Sequence, residues 1–309
     1  MEQLFFISLQ MRRSIIFEVM NKEQLLHLID EALKEDIGTG DHSTLSCIDA
    51  GAKGKAVLNI KEDGILAGMN VAETIFLYKE PSSVFIPFKK DGDEMKFGEK
   101  AFEVTASVHT VLQCERLVLN CMQRMSGIAT LTNLYVDKLK GYKTRLLDTR
   151  KTTPNFRLLE KEAVRIGGGV NHRLGLYDMI MLKDNHIDYC GGIEKAIEKA
   201  YNYVQTKKMD LKIEVETRNT DEVKKVIAIG KGKVFRIMLD NFKPGELTEA
   251  VKLIGEDFET EASGGINLEN IEAFAKTGVD YVSVGALIHQ AKSLDLSLKA
   301  SPNPSVGRA

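Results

Sequence analysis

Residues 212–240 read KIEVETRNTDEVKKVIAIGKGKVFRIMLD. Two short apolar runs, KIEVE (212–216) and VFRIMLD (234–240), flank a segment with helical character over 220–229. Strand, helix, strand in that order is a βαβ unit and argues for a parallel pair. Outward from it the rhythm repeats. TRLLD (144–148) and YDMIMLK (177–183) precede it, and FETEAS (258–263) and YVSVG (281–285) follow, with helical stretches over 192–206 and 267–277. Six such strands predict a parallel sheet, open or closed into a barrel. Between the first two, Thr153 caps a helix with Pro154 at its first position. Phe156, Leu159, Ala163 and Ile166 continue that helix, and Gly167 ends it.

The preceding half differs. Leu25, Leu26, Ile29 and Leu33 recur at helical spacing over 22–35, and the polar loop EDIGTGDHST follows. Short alternating strands punctuated by Gly64, Gly92 and Gly98 fill 54–110 and predict a small α/β domain with an antiparallel sheet. A helix over about 110–125 carries Val111, Leu112, Leu119, Met122 and Met125 and stops near Gly127. The organisation expected is therefore a disordered extension over 1–20, an α/β domain over 21–126 and a parallel α/β domain over 127–309 with a frayed tail, SPNPSVGRA.

Bulk properties narrow the function. A length of 309 residues suits one barrel-sized unit with a smaller partner. With 43% hydrophobic and 28% charged residues, a buried core is expected rather than disorder. A net charge of −2 excludes nucleic-acid binding through bulk basicity, so any anion site must be a local cluster of Lys and Arg. No apolar run reaches the roughly 18 residues of a membrane helix. Charges interrupt the apolar N-terminal stretch, which argues against a secretory signal. Cys47, Cys114, Cys121 and Cys190 form no metal-binding spacing. They read as buried free thiols of a cytoplasmic protein.

The strand ends carry the chemistry. Asp148 with Arg150 and Lys151, then Lys183, Glu216, Asp240, Ser263 and Gly285 close the six strands. In α/β barrels the site lies at that rim, so these groups are expected to converge. His172 and Arg173 follow the triple glycine of GGGVNHR, and Arg116 comes from the long helix. Arginine forks match carboxylate and phosphate, and lysines act as point charges, so the set calls for a heavily anionic ligand. Among such cations Glu216 and Asp240 are suited to a metal, ribose hydroxyls or a developing positive charge. Glu214 shares a strand face with Glu216, and an inward acid there needs a partner. Ser263-Gly264-Gly265, before a helix expected at Asn267, and Gly285 after the last strand offer backbone N–H groups to a phosphate.

These residues resemble quinolinate phosphoribosyltransferases. ALKEDIGTGDHST, CERLVLNCMQRMSGIAT, LLDTRKTTPNFRLLEKEAVRIGGGVNHRLGLYDMIMLKDNH, IEVET, IMLDNF, EASGGI and VSVGAL carry the resemblance, over about residues 21–300. It implies an N-terminal open-faced α/β sandwich on an incomplete α/β barrel. It also implies a homodimer in which Arg116 completes the neighbour's site. The implied reaction joins quinolinate to 5-phosphoribosyl-1-pyrophosphate with Mg²⁺, giving nicotinate mononucleotide, pyrophosphate and CO₂. By the same resemblance Arg116, Arg150, His172 and Arg173 bind quinolinate. Lys151 and Lys183 hold pyrophosphate and carboxylate charge, Glu216 and Asp240 serve ribose and Mg²⁺, and Ser263, Gly264, Gly265 and Gly285 cradle the 5-phosphate. Two departures stand out: Asn155-Phe156 replaces a frequent Gly-Leu, and the segment between Glu216 and Asp240 is somewhat longer.

Three other readings use the same residues. In a class I aldolase, Lys183 forms a Schiff base. A relative acting on another acid would lack one carboxylate-binding arginine, and a phosphate-binding module would not need Glu216 and Asp240.

Overall fold

Residues 22–301 are described by a computed structural model, so the expected extension and the end of the tail lie outside the described residues. The chain forms two units. The first takes the chain up to Thr130, Thr153–Ile166 and the chain from Lys292 onward, and the second takes Leu131–Thr152 and Gly167–Ala291.

In the first unit, α1 (22–37) buries Ile29 and Leu33. Helix α2 (His42–Cys47) is capped by Asp41, whose Oδ1 accepts the Thr44 N–H at 3.1 Å. Strands β1 (Lys53–Ile60), β3 (Val84–Pro87), β5 (Lys100–Ser107) and β12 (Leu296–Ser301) form an antiparallel sheet in the order β12-β1-β5-β3. Strands β2 (Gly64–Ile65) and β4 (Glu94–Met95) make a separate short pair. Ala56, Leu58 and Ile60 alternate inward along β1. Phe102 meets Phe85 at 4.4 Å and Phe76, from α3 (Met69–Lys79), at 6.2 Å between ring centroids. Strand β12 was not legible as a strand. Its register, Leu58↔Leu298 and Ile60↔Leu296, brings the end of the chain back as an edge of the N-terminal sheet.

Two helix ends differ from expectation. Helix α4 (Val108–Lys138) starts directly after β5, where Ser107 Oγ accepts the Thr110 N–H at 3.1 Å, and it runs through Gly127. The glycine is a packing device. A Cβ there would lie 1.8 Å from the carbonyl oxygen of Lys292, so the returning backbone crosses the helix at the one residue without a side chain. Helix α5 (Arg157–Ile166) begins later than Pro154. Thr153 is held away from it by Glu160, which accepts both the Thr153 N–H (2.7 Å) and its Oγ1–H (2.9 Å). Asn155 then turns at φ 61°. Asparagine tolerates that left-handed backbone better than most residues.

In the second unit, β6 (Arg145–Leu147), β7 (Ile180–Leu182), β8 (Ile213–Thr217), β9 (Arg236–Asp240), β10 (Glu259–Ser263) and β11 (Tyr281–Ser283) are all parallel, in the order β6-β11-β10-β9-β8-β7. The last strand pairs with the first, so this is a cyclic βα succession cut between β6 and β7. Among the described residues no ladder joins those two. Helices α7 (Ile193–Lys207), α8 (Thr220–Gly230) and α9 (Pro244–Ile254) cover the sheet, and α6 (Asp184–Cys190) follows β7. The expected helix over 267–277 shrinks to α10 (Ile271–Ala275), because Asn267 and Asn270 bond each other's backbone N–H groups in a turn. No described helix is long and apolar enough to cross a membrane. The four cysteines are free, Cys114 and Cys121 buried but Cys47 exposed.

Alanine in place of a mid-helix glycine ordinarily stabilises by roughly 0.5–1 kcal/mol. Gly127→Ala is expected to do the reverse, destabilising by about 1–3 kcal/mol as overpacking does. Urea unfolding that found the variant as stable as the parent would remove this account of the crossing.

Candidate active site

Strand register sorts the residues of the second unit into two faces. Ile213, Val215, Ile237, Leu239, Ala262 and Val282 share the buried apolar face. The other face carries Glu214 and Glu216 of β8, Arg236 and Asp240 of β9, Glu259, Glu261 and Ser263 of β10 and Ser283 of β11. Charge on an inward sheet face needs partners, and an arginine and a histidine stand beside it here. Arg236 donates through Nη1 to Glu261 (2.9 Å) and through Nη2 to Glu259 (2.8 Å), with its guanidinium 4.2 Å from the Tyr281 ring centroid. His172 Nε2 lies 3.0 Å from Glu214 and 3.3 Å from Glu261, both fully buried. Burial and the neighbouring Glu261 push the Glu214 carboxyl up to about 7. His172 Nδ1 accepts the Arg173 N–H at 2.7 Å, which places the ring proton on Nε2, facing the two glutamates.

At the C-terminal rim of the strands, Lys183 Nζ donates to Glu216 Oε2 at 2.7 Å and the Asp184 N–H to Glu216 Oε1 at 3.3 Å. One strand along, Asp240 accepts from Asn241 Nδ2 (2.6 Å) and bonds the Ser263 side chain. Burial, then the Glu216 carboxylate, raise Asp240 above its ordinary value, and Ser263, Lys183 and Asn241 only partly offset them. Asn241 holds a left-handed backbone (φ 60°), and its N–H bonds the Ser263 carbonyl at 2.8 Å. Gly264 must be glycine, since φ is +97° and a Cβ would meet Asn241 Oδ1 at 2.1 Å. Gly265 is also left-handed, φ +65°, and its carbonyl accepts from Asn270. Gly285 has an ordinary φ of −67°. It is small for space, because a Cβ would lie 2.9 Å from Lys151 Cδ. The Lys151 side chain therefore crosses the turn after the last strand.

Arg150 and Arg173 complete the rim. Arg173 Nη1 donates to the Met179 carbonyl at 3.1 Å. Burial first and Arg150 second hold its guanidinium below the ordinary value. Arg150 Nε is buried without a hydrogen-bond partner. Two guanidinium groups so close form an arrangement that an anionic ligand would relieve.

The structure thus brings together Arg150, Lys151, Arg173, Lys183, Glu216, Asp240, Ser263, Gly264, Gly265 and Gly285 around one rim. It places His172 beside them, with Nδ1 accepting the Arg173 N–H and Nε2 next to Glu214 and Glu261, and it corrects two expectations. Asp148 is not a rim group in waiting. It is fully buried, and accepts the His172 N–H (2.8 Å) and Asn171 Nδ2–H (2.7 Å), pinning the turn after the triple glycine. The Ser263-Gly264-Gly265 turn does not open a helix, because α10 starts only at Ile271. Arg116 is exposed on α4 in the first unit. Arg236, Glu261 and Asn241 were missed. For the first two the signal was available, since Arg236 stands four residues before Asp240 and Glu261 two before Ser263, each on the same strand face.

Fold and site together define an enzyme of the parallel α/β class whose strand ends carry a cationic rim beside two carboxylates. Residues 128–299 match the family described as quinolinate phosphoribosyl transferase, C-terminal domain, and residues 41–126 the corresponding N-terminal domain. A chloroplastic nicotinate-nucleotide pyrophosphorylase [carboxylating] of Arabidopsis thaliana is 44% identical, with 88% of this chain and 81% of that one covered. A probable nicotinate-nucleotide pyrophosphorylase [carboxylating] of Bacillus subtilis is also 44% identical, covering 90% and 94%. The crystal structure of NadC from Streptococcus pyogenes superposes with a TM-score of 0.82 at 41% identity, covering 88% and 94%. The chain belongs to the quinolinate phosphoribosyltransferase family.

A carboxyl held above its ordinary value keeps its proton more tightly in the folded state. Ionising Asp240 therefore costs stability, which falls as pH rises through that range. Asp240→Asn is expected to melt higher than the parent at neutral pH, with the gap closing as pH drops into the ordinary carboxylate range. Melting curves at several pH values check this, and a gap that widened in acid would contradict the assignment.

Proposed function

We propose that the protein joins quinolinate to 5-phosphoribosyl-1-pyrophosphate and releases nicotinate mononucleotide, pyrophosphate and CO₂, the decarboxylating step of NAD synthesis. The observation that carries the reading is the Arg150–Arg173 pair, in which Arg150 opposes the charge of the half-buried Arg173 guanidinium and its own Nε is buried without a hydrogen-bond partner. Quinolinate brings two carboxylates, and the cosubstrate a pyrophosphate and a 5-phosphate. Fixed cations supply most of the stabilisation such an encounter needs. In this reading Arg150 and Arg173 take the carboxylates, Lys151 and Lys183 the pyrophosphate and carboxylate charge, and the turns at Ser263-Gly264-Gly265 and Gly285 the 5-phosphate.

Departure of pyrophosphate leaves positive charge on the ribose, facing Glu216 and Asp240. The pyridine nitrogen bonds to the anomeric carbon and becomes cationic. The C2–CO₂ bond then breaks, its electron pair stays on the ring carbon beside that nitrogen, and a proton replaces the carboxyl group. Positioning and electrostatics carry the reaction, with little need of acid–base groups. The oxygen donors of Glu216 and Asp240 suit Mg²⁺, and the Glu216 repulsion, which after burial raises Asp240, is what a divalent cation there would relieve. Mg²⁺ would supply charge neutralisation to the pyrophosphate. The aldolase alternative is disfavoured because the Lys183 Nζ is committed to Glu216 at 2.7 Å, whereas a Schiff-base lysine needs a free amine. Four free thiols fit a cytoplasmic protein.

Incubation with quinolinate, phosphoribosyl pyrophosphate and Mg²⁺ is expected to release one CO₂ per pyrophosphate. Release of pyrophosphate without CO₂ would overturn the reading. We also assign Arg116, exposed on α4, to the site of a second copy in a homodimer. Arg116→Ala and Lys183→Ala should each lose activity by about 100-fold or more. An equal mixture of the two should recover about a quarter of the parent's activity, since half the dimers are mixed and one of their two sites is whole. A mixture no better than either variant would sink the shared site.

A further inference from the structure

We propose that His172, Glu214 and Glu261 are positioning residues, a buried anchor that fixes the backbone from which Arg173 reaches its carboxylate. The inference rests on the quinolinate reading above and goes beyond it. It gives two glutamates, with no access to a ligand, a part in substrate affinity.

The anchor lies behind the rim. Glu214 stands on β8 and Glu261 on β10, with β9 between them, and both side chains converge on one imidazole nitrogen. Neither glutamate is exposed, and the His172 side chain is only 5% exposed. Arg236 fixes Glu261 from below, and Ser283 bonds it from β11. Four strands thus determine where His172 sits. From there the constraint runs outward through short links. Asp148 accepts the His172 N–H at 2.8 Å, His172 Nδ1 accepts the Arg173 N–H at 2.7 Å, and the Arg173 guanidinium is oriented by the Met179 carbonyl at 3.1 Å. An arginine with a long, flexible stem reads a planar carboxylate well only if its backbone origin is fixed, because a misplacement of about 1 Å in a positioning group is enough to cost affinity or rate.

The two ring nitrogens have separable roles, which makes the proposal testable. Asparagine places a polar atom near the Nδ1 position and glutamine near Nε2. His172→Gln keeps a donor toward the glutamates, and His172→Asn does not. Steady-state kinetics of the full-length protein are expected to show a KM for quinolinate raised about tenfold in His172→Asn and about twofold in His172→Gln, with kcat and the KM for phosphoribosyl pyrophosphate changed much less. Glu261→Gln, which keeps the shape but not the charge opposite Arg236, should raise the same KM about threefold or more, and it serves if His172→Asn fails to fold. A purely structural role would lower melting temperature and active fraction while leaving the quinolinate KM unchanged. That result, or an equal rise in His172→Asn and His172→Gln, overturns the proposal. The parent protein is the control for the underlying reading. If it turns over quinolinate while the variants keep its KM, only the anchor fails; if it does not, the reading itself falls.

Discussion

A parallel sheet whose inner face carries acids can fold only if each acid finds a partner in the interior. Taking a carboxylate out of water costs several kcal/mol, and burying two glutamates around one imidazole doubles the demand. The guanidinium of Arg236, bonded to Glu259 and Glu261, meets part of it, and the imidazole between Glu214 and Glu261 meets the rest. Removing the guanidinium or the imidazole would leave a buried carboxylate without its partner, which is far more destructive than removing the whole cluster. A chain that keeps such a cluster in place of valine and leucine gains no stability over an apolar core. What it gains is a fixed reference point from which the rim is built.

The rim follows from that reference by short covalent and hydrogen-bonded steps. Glu214 and Glu216 are two residues apart on one strand, so fixing the first sets the second at the strand end, where it meets Lys183. Glu261 and Ser263 stand in the same relation on the next strand but one, and Ser263 reaches Asp240. Backbone does the remaining work. Asp148 ties the turn after the triple glycine, and Asn241 and Gly264 interlock so closely that no side chain fits between them. Lower layer and upper layer thus obey one periodicity, and charge that holds the sheet together also aims the groups that bind.

Much of this was legible in the chain. The six strands of the second unit fall where apolar runs and polar ends place them, and Lys183, Glu216, Asp240 and Ser263 stand at strand ends as read. Strand periodicity also gave Glu214 as an acid in need of a partner. What it could not give was the partner, because His172 lies on a loop more than forty residues away, and only the fold brings it beneath the sheet. Gly127 misled for a related reason. In sequence a glycine after an amphipathic run is a stop signal, whereas its use here depends on Lys292, the other end of the chain. Strand β12 was invisible because its four-residue alternation, Leu296 to Lys299, is too short to separate from a tail without the edge it completes. Local rules failed wherever the deciding contact was distant.

Asn155 shows the complementary case, in which local geometry decides. The residue follows KTTP, and its backbone makes a left-handed turn at φ 61°. Asparagine satisfies such a turn at modest cost because a short polar side chain can bond locally. The turn matters because Thr153, two residues earlier, is fastened at both its N–H and its hydroxyl by buried Glu160, which Arg124 pairs at 2.9 Å. A helix starting at Pro154 would have carried the chain away from that carboxylate. The left-handed residue delays the helix by the few positions needed for Glu160, one turn along it, to fold back on Thr153. The fastening thus couples two parts of the first unit that a helix begun at Pro154 would have kept apart.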